Sequence, residues 1–249
     1  MMSISQASSI KALLFDSGRV LNQPATGHWF ISPHFFDYID KQKFFEIAAN
    51  KRRSAFRAAQ SSINEQTFIA NSEDEYQHFL KFYQIFAEQL PKLALDKSAI
   101  QAIAADLVFN REKYTFFDDA MQIIPALSRR YKLAVVSDAW PSLEDVFIRA
   151  KMRDYFSAFV ISAKLGTAKP NPRMYQAALQ ALDCQPEQAL FIDDSIRNCD
   201  GAERLGIHAL VLTRDWRLYA YRRICHRRHS FIRDLYALNR LLGKGESNG

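Results

Sequence analysis

Five short apolar runs constrain this chain more than any other feature. They are Ile10–Phe15 (IKALLF), Lys132–Val136 (KLAVV), Ala158–Ser162 (AFVIS), Ala189–Ile192 (ALFI) and His208–Leu212 (HALVL). None alternates in the manner of a strand with one wet face. Continuous apolar strands of this kind suit a parallel sheet covered on both faces. Helical patterns lie between them. Asn171 can cap a helix that starts at Pro172 and buries Met174, Tyr175, Ala178, Leu179 and Leu182. Ser195 can cap the next, with Ile196, Cys199 and Ala202 inward and Gly206 as a left-handed stop. Strand and helix alternate through residues 118–212, which predicts a doubly wound α/β sheet, mainly parallel and Rossmann-like.

Residues 22–115 break that rhythm. They hold no clear strand and many aromatics. Ser72 and Glu75 form a capping box that opens a helix with Tyr76, Phe79, Leu80, Tyr83 and Phe86 on one face. Asp96 caps another, with Ile100, Ile103 and Leu107. The expected organisation is an α/β core over residues 1–21 and 116–249, ending in a basic helical tail, with a helical insertion over 22–115. The terminal GKGESNG reads as disordered.

The chain has 249 residues, 48% hydrophobic and 24% charged, ordinary values for a globular protein. No apolar run nears the roughly 20 residues that span a bilayer. The stretch before Asp16 is too short for a signal-peptide core, so a cytoplasmic protein is expected. Three scattered cysteines suit neither a disulfide framework nor a zinc site. Eight arginines against two aspartates between residues 214 and 240 account for the whole net charge of +6. With Trp216, Tyr219 and Tyr221 nearby, that tail has the composition of an anion-binding surface. Phe231, Leu235, Leu238 and Leu242 recur at helical spacing, however. A terminal helix with a solvated arginine face is the preferred reading, and nucleic acid is not expected as a partner.

Four polar clusters follow predicted strands, where open α/β sheets place their sites. Asp16-Ser17-Gly18 exposes a carboxylate beside flexible backbone, although Asp and Gly also simply end strands. Ser137-Asp138 offers a hydroxyl and an amide to a phosphate oxygen, or merely starts a helix. Lys169, held before Pro170, can neutralise a phosphate or orient a carboxylate; an isolated Lys-Pro is more often just surface. Asp193-Asp194 is the least ordinary item. Adjacent carboxylates at the end of a buried strand repel each other unless a cation joins them, and hard oxygen donors favour Mg²⁺.

In this order, together with the string Ser162–Pro172 and the run Asp193–Ile207, these residues resemble the haloacid dehalogenase (HAD) superfamily. The insertion falls where the family carries its helical C1 cap. The resemblance implies a hydrolase, most often a phosphatase of a small phosphorylated metabolite. Asp16 would attack phosphorus and form an aspartyl phosphate. Ser137, Lys169 and the neighbouring Asp138 would contact the phosphoryl group. Mg²⁺ would bridge Asp16, the Gly18 carbonyl, Asp193 and Asp194.

One position departs from the pattern. Most family phosphatases carry a second aspartate, the general acid, where this chain has Gly18. Positioned acid catalysis contributes roughly 10²–10⁴ in rate. The gap can be met by a good leaving group, or by a donor such as His28 or His34. Otherwise hydrolysis is lost and a silent site binds a phosphorylated ligand or partner. Asp138 also departs, standing where the family often has asparagine. Dehalogenases carry a bulky aromatic at the Gly18 position. Phosphonoacetaldehyde hydrolases need a Schiff-base lysine in the cap, for which Lys41, Lys43 and Lys51 are available.

Overall fold

The computed structural model describes residues 9–64 and 68–243; apart from Gly243, the GKGESNG end lies outside them. Among these residues the strands are β1 (Ala12–Phe15), β2 (Asn22–Pro24), β3 (Tyr114–Phe116), β4 (Lys132–Ser137), β5 (Ala158–Ile161), β6 (Ala189–Asp193), β7 (His208–Leu212) and β8 (Phe231–Ile232). The chain divides into an α/β unit (up to Gln23, then Phe116–Ala139 and Ala150 onward) and a helical unit (Pro24–Thr115 with Trp140–Arg149).

The α/β unit is a six-stranded sheet in the order β5-β4-β1-β6-β7-β8. Every pairing in it is parallel. The expected doubly wound α/β fold is the one observed. β1 is buried throughout, as its unbroken apolar sequence requires. Helix Pro172–Leu182 starts on the Asn171 cap, whose side chain accepts the amide of Arg173, and buries all five residues read from its periodicity. Helix Ile196–Glu203 starts on Ser195, whose side chain accepts the amide of Asn198. Leu14, Val136, Phe191, Met174 and Tyr175 share one fully buried cluster on this side of the sheet. Each such side chain is worth about 1.5–3 kcal/mol against exposure.

β8 was not anticipated. Phe231 lies in this strand, and only Leu235, Leu238 and Leu242 line the terminal helix Leu235–Gly243. A two-residue edge strand carries too little pattern to be seen among arginines. Its partner β7 supplies the pairing, Val211 to Phe231 and Leu212 to Ile232.

The helical unit is held by aromatic packing. Phe35, Phe44, Phe56, Phe79, Phe82, Tyr83 and Phe86 form one buried cluster. Phe56 and Phe86 lie 4.6 Å apart between ring centroids. The helix Ser72–Gln89 is capped by Asn71, not Ser72: the Asn71 side chain accepts the amide of Asp74. Glu75 is buried and cannot reach back as a capping box would ask; its carboxylate takes the amide (2.8 Å) and hydroxyl (2.5 Å) of Ser142 instead. The segment read as strand-free also holds all of β2 and most of β3, which form a two-stranded sheet. Asp96 caps Lys97–Phe109 as expected. No helix among the described residues is long and apolar enough to cross a membrane.

Candidate active site

Sheet register brings the polar residues together. Phe15 pairs with Ile192 across β1 and β6, so the next residues, Asp16 and Asp193, stand level on neighbouring strands. Phe15 also pairs with Val135, which places Ser137 at the same end of β4. The chain moves outward from β1 through β4 to β5, then returns to β6 on the other side of β1. This reversal is the switch point at which open α/β sheets form their crevice.

Lys169 reaches this point from the loop after β5. Its Nζ donates to Asp16 Oδ1 at 2.7 Å and to Asp193 Oδ2 at 2.7 Å. Ser137 Oγ donates to Asp16 Oδ1 at 3.0 Å. Asp193 is fully buried and its oxygens are well satisfied. Besides Lys169 it accepts the Ser195 amide (2.8 Å) and the Asn198 side-chain amide (3.3 and 3.1 Å). Asp138 is turned to the loop: its carboxylate accepts the backbone amide of Lys169 at 2.8 Å. The Lys169–Pro170 peptide is cis. Pro170 packs where a β-carbon on Gly201 would stand, 2.5 Å from the Pro170 Cβ, so only glycine lets helix and loop approach this closely.

The electrostatics follow from burial. Burial raises Asp16 from 3.8 to about 7; Lys169 opposes the rise and Asp193 adds to it. Burial also raises Asp194, with the neighbouring Asp193 adding and Arg19 opposing. Burial works against the charged form of Lys169, but Asp16, Asp193 and Asp138 together hold it above the usual lysine value. One oxygen each of Asp16, Asp193 and Asp194 lie within 4.8 Å of one another. Three converging carboxylates outnumber their two cationic partners, buried Lys169 and the largely exposed Arg19, and leave negative charge uncompensated. Their hard oxygens are the donor set a Mg²⁺ ion takes, so these residues fit that ion.

Several neighbours carry no motif. Arg19 lies 3.5 Å from Asp194 through its guanidinium. Arg222 donates to the Asp194 carbonyl (3.0 Å) and to Thr213 Oγ1 (2.9 Å). Arg228 pairs with Asp200 and Glu203. The tail is therefore not only a solvated basic face: some of its arginines fasten the α/β unit. No local pattern in the sequence marks Arg222 for this contact.

Within the helical unit, the His28 ring packs 4.7 Å from Phe56 and its Nδ1 accepts the amide of Phe30. Burial lowers its pKa. His34 meets Asp37 at the surface. Lys41, Lys43 and Lys51 are all exposed. A Schiff-base lysine is normally activated by desolvation, which none of these three has.

A parallel doubly wound sheet with a buried aspartate–lysine cluster at its switch point defines a Rossmann-like α/β protein with an anionic site at the carboxyl ends of its strands. The haloacid dehalogenase-like hydrolase family profile matches residues 46–212, about two thirds of the chain, and the protein belongs to that family. The matched region begins after Asp16. A glyceraldehyde 3-phosphate phosphatase of Methanopyrus kandleri is 26% identical over 186 residues, covering 68% of this chain and 78% of that protein. Two further curated relatives are aligned over 55% and 34% of their own lengths. Among solved structures, a 2-haloacid dehalogenase from Pseudomonas syringae pv. Tomato superposes with a TM-score of 0.60 at 17% identity, covering 94% of this chain and 99% of that one. A HAD-family enzyme of Bacteroides thetaiotaomicron, in complex with magnesium and inorganic phosphate, gives 0.54 at 21% identity, covering 83% and 97%. At these identities the superpositions establish the fold.

Proposed function

We propose that the protein is a Mg²⁺-dependent phosphatase of a small phosphorylated metabolite, with Asp16 as nucleophile. The observation that carries this reading is the buried contact set of Asp16, Lys169 and Asp193 at the switch point. Asp16 attacks phosphorus as the P–O bond to the leaving group breaks and that group departs as its anion; water then attacks the acyl phosphate, releasing inorganic phosphate and restoring the Asp16 carboxylate. Ser137 and Lys169 bind the phosphoryl oxygens and offset their charge in the transition state. Asp193 holds Lys169 in place, and Asp138 does so through the Lys169 amide. Asp16, Asp194 and the Gly18 carbonyl would hold Mg²⁺, with Asp193 beside them. The bound ion would supply charge neutralisation between nucleophile and phosphate.

The M. kandleri relative, named as a phosphatase, supports the same reaction class. The expected cap role falls to the helical unit. Gly18 leaves no acid on the nucleophile loop, which favours substrates with stable leaving groups, acyl or aryl phosphates. The dehalogenase branch is disfavoured because it has no use for the carboxylate trio. A silent binding protein is disfavoured because three carboxylates crowded together burden a fold that gains no catalysis from them. The test is hydrolysis of p-nitrophenyl phosphate with Mg²⁺, with EDTA, and by Asp16→Asn. Turnover should need both the metal and Asp16. A folded protein no faster than Asp16→Asn would overturn the phosphatase reading.

A further inference from the structure

Arg214 stands two residues beyond the end of β7, and its guanidinium donates four hydrogen bonds. Its Nε donates to the Arg19 carbonyl (3.2 Å) and its Nη2 to the Val20 carbonyl (2.7 Å). Its two terminal nitrogens also meet both oxygens of Asp119, at 3.1 and 3.0 Å, a bidentate fork that lysine cannot reproduce. The guanidinium lies 3.6 Å from the centre of the Phe117 ring. Asp119 is buried and also accepts the amide of Leu235 at 2.7 Å.

The two carbonyls that Arg214 holds belong to the residues immediately after Gly18. Arg19 has a φ of 61°, the left-handed region that residues other than glycine rarely enter. Such a conformation persists only where its surroundings over-determine it. Here it is fixed from both sides. The Arg19 amide donates to the Asn22 carbonyl (2.6 Å), and the Arg19 carbonyl accepts from Arg214. Rotation of the Arg19 backbone would swing the peptide that carries the Gly18 carbonyl. It would also move the Arg19 side chain that faces Asp194.

We propose that Arg214 is a positioning residue: it locks the turn from Ser17 to Asn22 so that the Gly18 carbonyl and the Asp194 partner Arg19 face the site. This rests on the phosphatase reading for its catalytic consequence, though not for its structural one.

The experiment compares wild type with Arg214→Lys and Arg214→Gln by three readouts. The first is hydrogen exchange of peptides covering residues 16–24. The second is the Mg²⁺ concentration that half-saturates the rise in melting temperature, with the metal alone. The third is kcat and KM for p-nitrophenyl phosphate. Both variants should exchange faster across residues 17–22 while β1 and β7 keep their protection. Half-saturating Mg²⁺ should rise about 10–100-fold, the usual cost of losing a partner behind a metal ligand. Activity should fall through kcat, with KM nearly unchanged. Unchanged exchange in the turn overturns the proposal. So does faster exchange spread over the whole sheet, which marks a merely structural arginine. If Arg214→Gln fails to fold, Arg214→Lys decides by the same criteria. A wild type that binds Mg²⁺ but does not turn over refutes the phosphatase reading and leaves the exchange result to judge Arg214.

Discussion

Replacing Lys169 with methionine is expected to lower kcat by roughly 10²–10³-fold, the range for losing one preorganised transition-state donor. It should also destabilise the metal-free α/β unit by about 3–5 kcal/mol, the range for removing one member of a buried ion pair. Both effects come from one geometry. The ammonium is buried and 2.7 Å from each of two carboxylates, Asp16 and Asp193. Without it, two buried carboxylates face each other across neighbouring strands with no cation between them. Urea unfolding in EDTA measures the stability term, and p-nitrophenyl phosphate turnover measures the catalytic one. Lys169→Arg should recover much of the stability and little of the activity, because a planar fork cannot occupy the space of a point charge. A methionine variant that loses less than tenfold in kcat and unfolds at the wild-type urea concentration would show that Lys169 is not the charge that organises the site.

The second large effect lies in the helical unit. Lys113 is buried and its Nζ donates to the carbonyls of Leu107 (2.9 Å) and Val108 (3.1 Å) and to Ser142 Oγ (2.5 Å). It thereby closes the carboxyl end of helix Lys97–Phe109 and faces Glu75 at 3.8 Å. Ser142 stands between them, donating to Glu75 in turn. Lys113→Met should cost about 3–5 kcal/mol, since it leaves Glu75 buried and unpaired. Adding Glu75→Gln should recover a large part of that loss, a coupling that a double-mutant cycle reads directly. The pH dependence has a definite sign. Burial lowers Lys113 from 10.5 to about 8, with Glu75 opposing the fall. Between pH 8 and 10.5 the unfolded chain therefore holds a proton that the folded chain has released. Raising the pH across that window favours the folded state through this group. The difference in unfolding free energy between wild type and Lys113→Met should accordingly widen from pH 8 toward pH 10. A difference that stays flat over that range would mean Lys113 titrates normally in the fold.

What could be read from the chain and what could not follow from the range of the forces involved. The central strands announce themselves because burial on both faces demands unbroken apolar sequence; β7 matches its run residue for residue. Helix caps are nearly as plain when one side chain closes one amide, as at Asn171 and Ser195. Ser72 misled because Asn71 beside it can do the same work, and because Glu75 answers to Ser142, a partner 67 residues away. The gathering of Asp16, Ser137, Lys169 and Asp193 was legible through their shared place after strands. Which oxygen faces which nitrogen was not. Asp138 is the clearest instance: adjacency to Ser137 suggested a phosphate contact, whereas its carboxylate accepts the Lys169 amide. Arg214 and Asp119 are 95 residues apart and meet only in the folded sheet, so no local pattern could pair them.

Covalent phosphorylation of Asp16 during turnover is the central step of the proposed reaction. The measurement is rapid acid quench of the Mg²⁺-loaded enzyme with p-nitrophenyl phosphate, followed by mass spectrometry of the peptide that contains Asp16. The expected result is a phosphoryl group on Asp16 that hydroxylamine removes, that is absent from Asp16→Asn, and that forms no more slowly than the enzyme turns over. Steady hydrolysis in which that peptide is never phosphorylated, with Asp16→Asn retaining activity, would contradict it.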